Sequence, residues 1–103
     1  MVNPECVRAQ PEGAIAFGLG IGLYGGITMK DGATVQSNFR DYRLVRIAEC
    51  PRVITTEIVE SDEPPGGVGE PGVPPVTPAL ANALLSITDT RVRTLPMIDT
   101  LPV

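Results

Sequence analysis

The stretch PPGGVGEPGVPP, residues 64–75, can form neither a helix nor an inner strand. Proline lacks the N–H that either hydrogen-bond ladder needs, and glycine loses the most conformational freedom on being ordered. Eleven of the twelve residues are proline, glycine or valine, and the twelfth is Glu70. The segment divides the chain into a longer N-terminal and a shorter C-terminal part. A solvated connection usually carries several charges, so a lone carboxylate is either incidental or the purpose of the loop.

A length of 103 residues gives one unit at most, 1–103, or a piece of a larger one. The two tyrosines and two phenylalanines, with no tryptophan, leave little aromatic bulk for a core. A net charge of −4 disfavours nucleic acid as a partner, because phosphate binding needs a basic face. Arg40, Arg43 and Arg46 read as a solvated or ion-paired stretch. The absence of histidine removes Ser-His-Asp and Cys-His catalysis and most zinc sites, and no residue is assigned as a metal ligand. Cys6 and Cys50 read as two buried free thiols, with a disulfide as the alternative.

Residues 13–29, GAIAFGLGIGLYGGITM, are uncharged and contain six glycines. A membrane helix of that composition would sit at the short end of the ~17–25 residue range. Gly20, Gly22 and Gly25 match a dinucleotide fingerprint, but a hairpin rather than a helix follows them. The favoured reading is a buried helix from about Glu12 to Tyr24, with Gly18, Gly22 and Gly25 on one face for close packing. Asp31-Gly32 then marks a β-hairpin. Residues 38–52 read as extended, VITTEIVE at 53–60 as the clearest strand, and RVRTLP at 91–96 as a short last strand. After the Pro/Gly loop, Thr77 is the expected N-cap of a second helix, with Pro78 at its first position. Leu80, Ala81, Leu84 and Leu85 share one face of that helix through Thr88. The expected class is α+β, made of a glycine-rich helix, a β-hairpin, a β-strand, the Pro/Gly loop and a second helix.

Five stretches carry a resemblance: VNPECVRAQ at 2–10, GLYGGIT at 22–28, QSNFRDY at 36–42, GGVGEPGVPP at 66–75 and PALANALL at 78–85. Together they resemble the C-terminal end of the molybdopterin-binding large subunit of the xanthine dehydrogenase/aldehyde oxidase family, in its isoquinoline 1-oxidoreductase β-subunit branch. Two departures stand out. Pro11 lies where the helix is expected to begin, and Gly26 takes a place where relatives usually carry glutamate.

The resemblance implies that Glu70 is the general base beside a molybdenum centre. The reaction is hydroxylation of an electron-poor carbon in an N-heteroaromatic ring or an aldehyde, with water as the oxygen source. It implies that Gln10 hydrogen-bonds the pterin, and that Gly67, Val68 and Gly69 form part of the cofactor wall. The residues fit these roles, since Gly66, Gly67 and Gly69 offer conformations closed to other residues and can turn their N–H groups toward an anionic ligand, and Pro71 restricts Glu70 to extended geometry. The implied cofactor is molybdopterin cytosine dinucleotide, with 2Fe–2S clusters on a small partner subunit and the upstream part of the large subunit as a further partner. The compartment is open between cytoplasm and periplasm. Taken alone, the chain is expected to be inactive and to self-associate. The alternative is a non-catalytic domain used for self-association or docking.

Overall fold

The computed structural model describes residues 2–64 and 66–101. The element order is α1 (Pro4–Tyr24), β1 (Met29–Lys30), β2 (Ala33–Thr34) and α2 (Val76–Thr88), with single 3-10 turns at Ile47–Glu49 and Met97–Asp99. The result is an α+β segment of two helices and a small antiparallel ribbon.

Helix α1 starts earlier than expected. Asn3 caps it, its side-chain oxygen accepting from the N–H groups of Glu5 and Cys6, and Pro4 follows at the first position. Asn3-Pro4 is thus the start signal, and Pro11 lies inside the helix rather than in its first turn. The Cys6 thiol, in the roughly two extra turns, is free and exposed, against the expectation that it is buried; Cys50 is free and half-buried. Among the described residues no helix is long and apolar enough to cross a membrane. Gly20 and Gly22 fall inside α1, so they are not the strand-to-helix turn that a dinucleotide site requires.

The hairpin forms as expected. Met29 pairs with Thr34 and Lys30 with Ala33, while Asp31 and Gly32 have φ of 51° and 80°. Two successive left-handed residues make the turn whose twist matches the flanking strands.

Two expected strands do not form. Residues 53–60 keep the alternation of a strand, with Ile54, Thr56 and Ile58 half-buried and their neighbours exposed, but pair with no described residue. β-propensity expresses fit to a half-buried pleated surface, and no neighbouring strand is present to provide one. Residues 91–96 lead instead into the turn that carries Met97, which is fully buried. Helix α2 begins at Val76 with Pro75 at the cap position, so Thr77 is not the N-cap. Its hydroxyl reaches across to the Gly18 carbonyl at 3.3 Å. The predicted face Leu80, Ala81, Leu84 and Leu85 is the half-buried one.

The core sits where α1 meets α2 and the Met97 turn. Ala14, Gly18, Leu19 and Gly22 are the buried residues of α1. Close packing at Gly18 explains its identity: a Cβ there would lie 2.8 Å from Val76 Cβ and 2.9 Å from the Val73 carbonyl oxygen. At Gly22 it would lie 3.0 Å from Thr77 Oγ1. Gly25 does not share this face; it caps α1, its N–H donating to the carbonyls of Gly20 and Ile21.

A second contact holds residues 38–52 to the end of α1. Glu49 accepts from the Tyr24 hydroxyl and from Arg43, the latter at 2.6 Å, and the Arg43 guanidinium lies 3.8 Å over the Tyr24 ring. Arg40 pairs with Asp41 at 3.3 Å. The hydrogen bond to Glu49 raises the Tyr24 phenol, and the same bond lowers the Glu49 carboxyl.

The core is small for the chain. The radius of gyration is 16.6 Å, against ~13 Å for a compact domain of about 100 residues. The accessible surface is 8086 Å², against roughly 5,600 Å² for a folded monomer of this mass.

Two outcomes follow from these contacts. Gly18→Ala should destabilise the chain by about 1–3 kcal/mol in urea titrations, because the methyl meets backbone. Gly13→Ala, with nothing within 4 Å, should instead gain about 1 kcal/mol from helix propensity. In an NMR titration Tyr24 should ionise above 10.0, and Glu49→Gln should bring it down. The raised phenol contributes stability below the ordinary tyrosine pKa that is lost as pH rises through the folded value. The lowered Glu49 carboxyl contributes stability above 4.5 that is lost as pH falls through its folded value.

Candidate functional site

Gln10, Ala14, Gly18 and Gly22 recur every fourth residue, so they form one stripe along α1. The Pro/Gly loop and the start of α2 lie along this stripe from end to end. Thr77 meets Gly22, Val76 and Val73 meet Gly18, and Gly72 comes so close to Ala14 that a Cβ on it would be 2.8 Å from the alanine methyl. At the end of the stripe, a Cβ on Gly69 would lie 3.0 Å from Gln10 Oε1. The fold therefore brings Gln10 beside Gly69, the residue next to Glu70, although the two are far apart in sequence.

The loop itself is short-turned around Glu70. The Val73 N–H donates to the Glu70 carbonyl at 2.8 Å, and the Val76 N–H to the Val73 carbonyl at 3.3 Å. These bonds hold the Glu70 backbone while its side chain stays exposed with no described hydrogen-bond partner. Gly67, Val68 and Gly69 are exposed as well, and their N–H groups donate to no described residue.

The reason for glycine differs from the expected one. Gly32 is the described glycine with a left-handed φ, so the loop glycines do not hold glycine-only torsions. Gly69 and Gly72 are small because α1 is close. A Cβ on Gly66 or Gly67 would meet nothing within 4 Å, which leaves an open backbone surface at that place. Gly26 has no packing requirement for glycine either, since a Cβ there would reach the Pro96 ring at 3.8 Å, an ordinary contact.

Two clefts of about 300 Å³ lie elsewhere. One is apolar, between Phe17 and Ile21 of α1 and Tyr42, Leu44 and Cys50; the other runs along Thr77, Ala81 and Met97. Neither includes Gln10 or Glu70. The candidate site is thus an open face carrying a carboxylate, an amide side chain and a run of unengaged backbone N–H groups. Such donors suit an anionic ligand rich in acceptors, and the carboxylate can accept a proton from a group held against them. No cluster of three or more His, Cys, Asp or Glu side chains able to hold a metal occurs among the described residues.

Sequence reasoning missed two parts of this arrangement. Met97, wedged where α1 meets α2, gave no periodic signal. Gly72 belongs to the Pro/Gly loop, and nothing in its sequence context marked it as the point where the loop touches Ala14. Gly72→Ala should push the loop off α1, and limited proteolysis within 66–71 should accelerate at least several-fold. An unchanged cleavage rate would show that the loop is not seated on Ala14.

Comparison with known proteins bears on what such a face holds. Residues 1–51 match the family model described as a molybdopterin cofactor-binding domain. The chain is 37% identical over 97 residues to isoquinoline 1-oxidoreductase subunit beta of Brevundimonas diminuta, covering 94% of this chain and 12% of that subunit. It is 36% identical, with the same coverages, to a membrane-bound aldehyde dehydrogenase of Gluconacetobacter polyoxogenes whose name carries pyrroloquinoline-quinone. Quinoline 2-oxidoreductase from Pseudomonas putida 86 has the same fold over 99% of this chain and 15% of its own, with a TM-score of 0.70 at 25% identity. The chain spans only about an eighth of the length of the two curated relatives. It belongs to the molybdopterin-binding large subunits of the xanthine dehydrogenase/aldehyde oxidase family, as a segment of such a subunit.

Proposed function

We propose that the chain is the C-terminal part of a molybdenum hydroxylase and supplies its general base, Glu70, with part of the cofactor wall. The observation that carries this reading is the approach of Gln10 to Gly69. It sets an amide beside the loop that holds the lone carboxylate, so both can face one ligand.

In this reading Gln10, Gly67, Val68 and Gly69 would hold the molybdenum cofactor, which would supply the two-electron oxidation. This chain's residues do the rest of what falls to them. Gln10 holds the pterin through its side-chain amide. Gly67, Val68 and Gly69 present their unengaged N–H groups to the anionic part of the cofactor. Glu70, fixed by its turn and by Pro71, takes the proton from the attacking oxygen at a carboxylate oxygen. The rest of the large subunit would close the open side of this face and exclude water.

The cofactor is read as molybdopterin cytosine dinucleotide, the electron route as 2Fe–2S clusters on a small partner subunit, and the substrate as an N-heteroaromatic compound or an aldehyde. The 103-residue chain by itself should neither hydroxylate substrate nor hold the cofactor tightly, because most of the cofactor's walls lie outside it.

The test uses a complete enzyme that contains this segment. Glu70→Gln should lower turnover by at least ~10²-fold, the usual minimum for general-base assistance, with molybdenum content near normal. Gln10→Ala should lower cofactor occupancy or turnover more modestly, as one hydrogen bond to a charged group contributes about 1.5–3 kcal/mol. Near-normal turnover in the Glu70→Gln enzyme would remove the base assignment.

A further inference from the structure

Residues 52–60, RVITTEIVE, read nearly the same in both directions about Thr56. Their backbone N–H and carbonyl groups bond to no described residue. Ile54, Thr56 and Ile58 are half-buried while Val53, Thr55, Glu57 and Val59 are exposed. The segment thus has the two-faced alternation of a strand with both edges open, the condition in which a strand recruits another.

We propose that two copies of the chain pair antiparallel through this segment, with Thr56 on the two-fold axis. Such an axis places each residue opposite one on the same face of the ribbon. Ile54 then faces Ile58, Val53 faces Val59, Thr55 faces Glu57, and Arg52 faces Glu60. Every apolar residue meets an apolar one, and the terminal charges are of opposite sign at both ends. Neighbouring registers are worse. A shift that puts Glu57 on the axis sets two carboxylates against each other, and one that puts Thr55 there sets Val53 against Glu57. A slip to an odd register would place shielded residues opposite exposed ones.

A second copy is a fitting occupant for another reason. Val53 and Val59 are 79% and 86% exposed, and the facing Val59 and Val53 of a second copy would cover them. A lone two-stranded ribbon is marginal, so the dimer is weak and dissociates on dilution. This pairing does not depend on the cofactor reading, since Gln10 and Glu70 take no part in it.

Sedimentation of the 103-residue chain across a wide concentration range should show a reversible monomer–dimer equilibrium. Glu60→Arg, which sets Arg against Arg52 at both ends, should weaken the dimer roughly 2- to 30-fold, and adding Arg52→Glu should restore it. With Cys6 and Cys50 replaced by serine, Thr56→Cys should oxidise to a cross-linked dimer ~10 times faster than Thr55→Cys. Facing Cα atoms lie ~4.5–5.5 Å apart, within disulfide reach, whereas residue 55 meets its own copy only on the diagonal. A monomer at every concentration, a dimer indifferent to the charge exchange, or equal cross-linking at 55 and 56 would each overturn the proposal.

Discussion

The approach of one backbone to another at Gly18 is the constraint on which the rest of the structure rests. A Cβ at that position would overlap both the Val76 side chain and the Val73 carbonyl, so the start of α2 sits at the closest distance a helix surface allows. Every glycine inside α1 lowers its intrinsic helix stability by about 1 kcal/mol relative to alanine. Here the loss is offset by contact, and Thr77 adds a hydrogen bond from its hydroxyl to the Gly18 carbonyl. With that joint formed, the Pro/Gly loop has little freedom left, because the joint and Gly72 on Ala14 both tie it to α1. Gly69, the neighbour of Glu70, lies beside Gln10 as a consequence of packing a few turns away.

The same economy of side chains explains why the segment is not a conventional globular unit. Small residues on α1 allow close approach but bury little apolar area. Among the described residues, Met97 and Leu19 are the large side chains that fill the interior. Phe17 and Phe39 remain 62% and 76% exposed, although aromatic side chains normally dominate a core. These exposed faces and the open candidate site suit a segment that completes its surroundings with other polypeptide. Its match to about an eighth of the length of its curated relatives points the same way.

Much of this was legible in the sequence. Asp31-Gly32 located the hairpin, the spacing of Leu80, Ala81, Leu84 and Leu85 located the inner face of α2, and Gly18 and Gly22 marked the contact face of α1. What sequence periodicity could not supply was context. VITTEIVE has the residues of a strand but lacks a partner strand, and a strand is defined by its ladder. Asn3-Pro4 is a strong start signal that was passed over because Pro11, deeper in the helix, looked like a boundary. At the candidate site, Gln10 and the Gly67–Glu70 stretch came from a resemblance and not from pattern. The geometry adds that Gln10 and Gly69 adjoin, and it replaces special torsions with close packing as the reason for Gly69 and Gly72.

Helix α1 positions the Glu70 loop through one continuous stripe from Gly22 to Gln10. Proton–proton NOEs in the 103-residue chain test this placement. Cross-peaks are expected from Gly18 Hα to the Val76 methyls, from Gly72 Hα to the Ala14 methyl, and from the Gln10 side-chain amide to Gly69 Hα. If the Gly18–Val76 contact were seen while the Gly72 and Gly69 contacts were absent, the loop would hang free of α1, and the positioning of the Glu70 loop beside Gln10 would be contradicted.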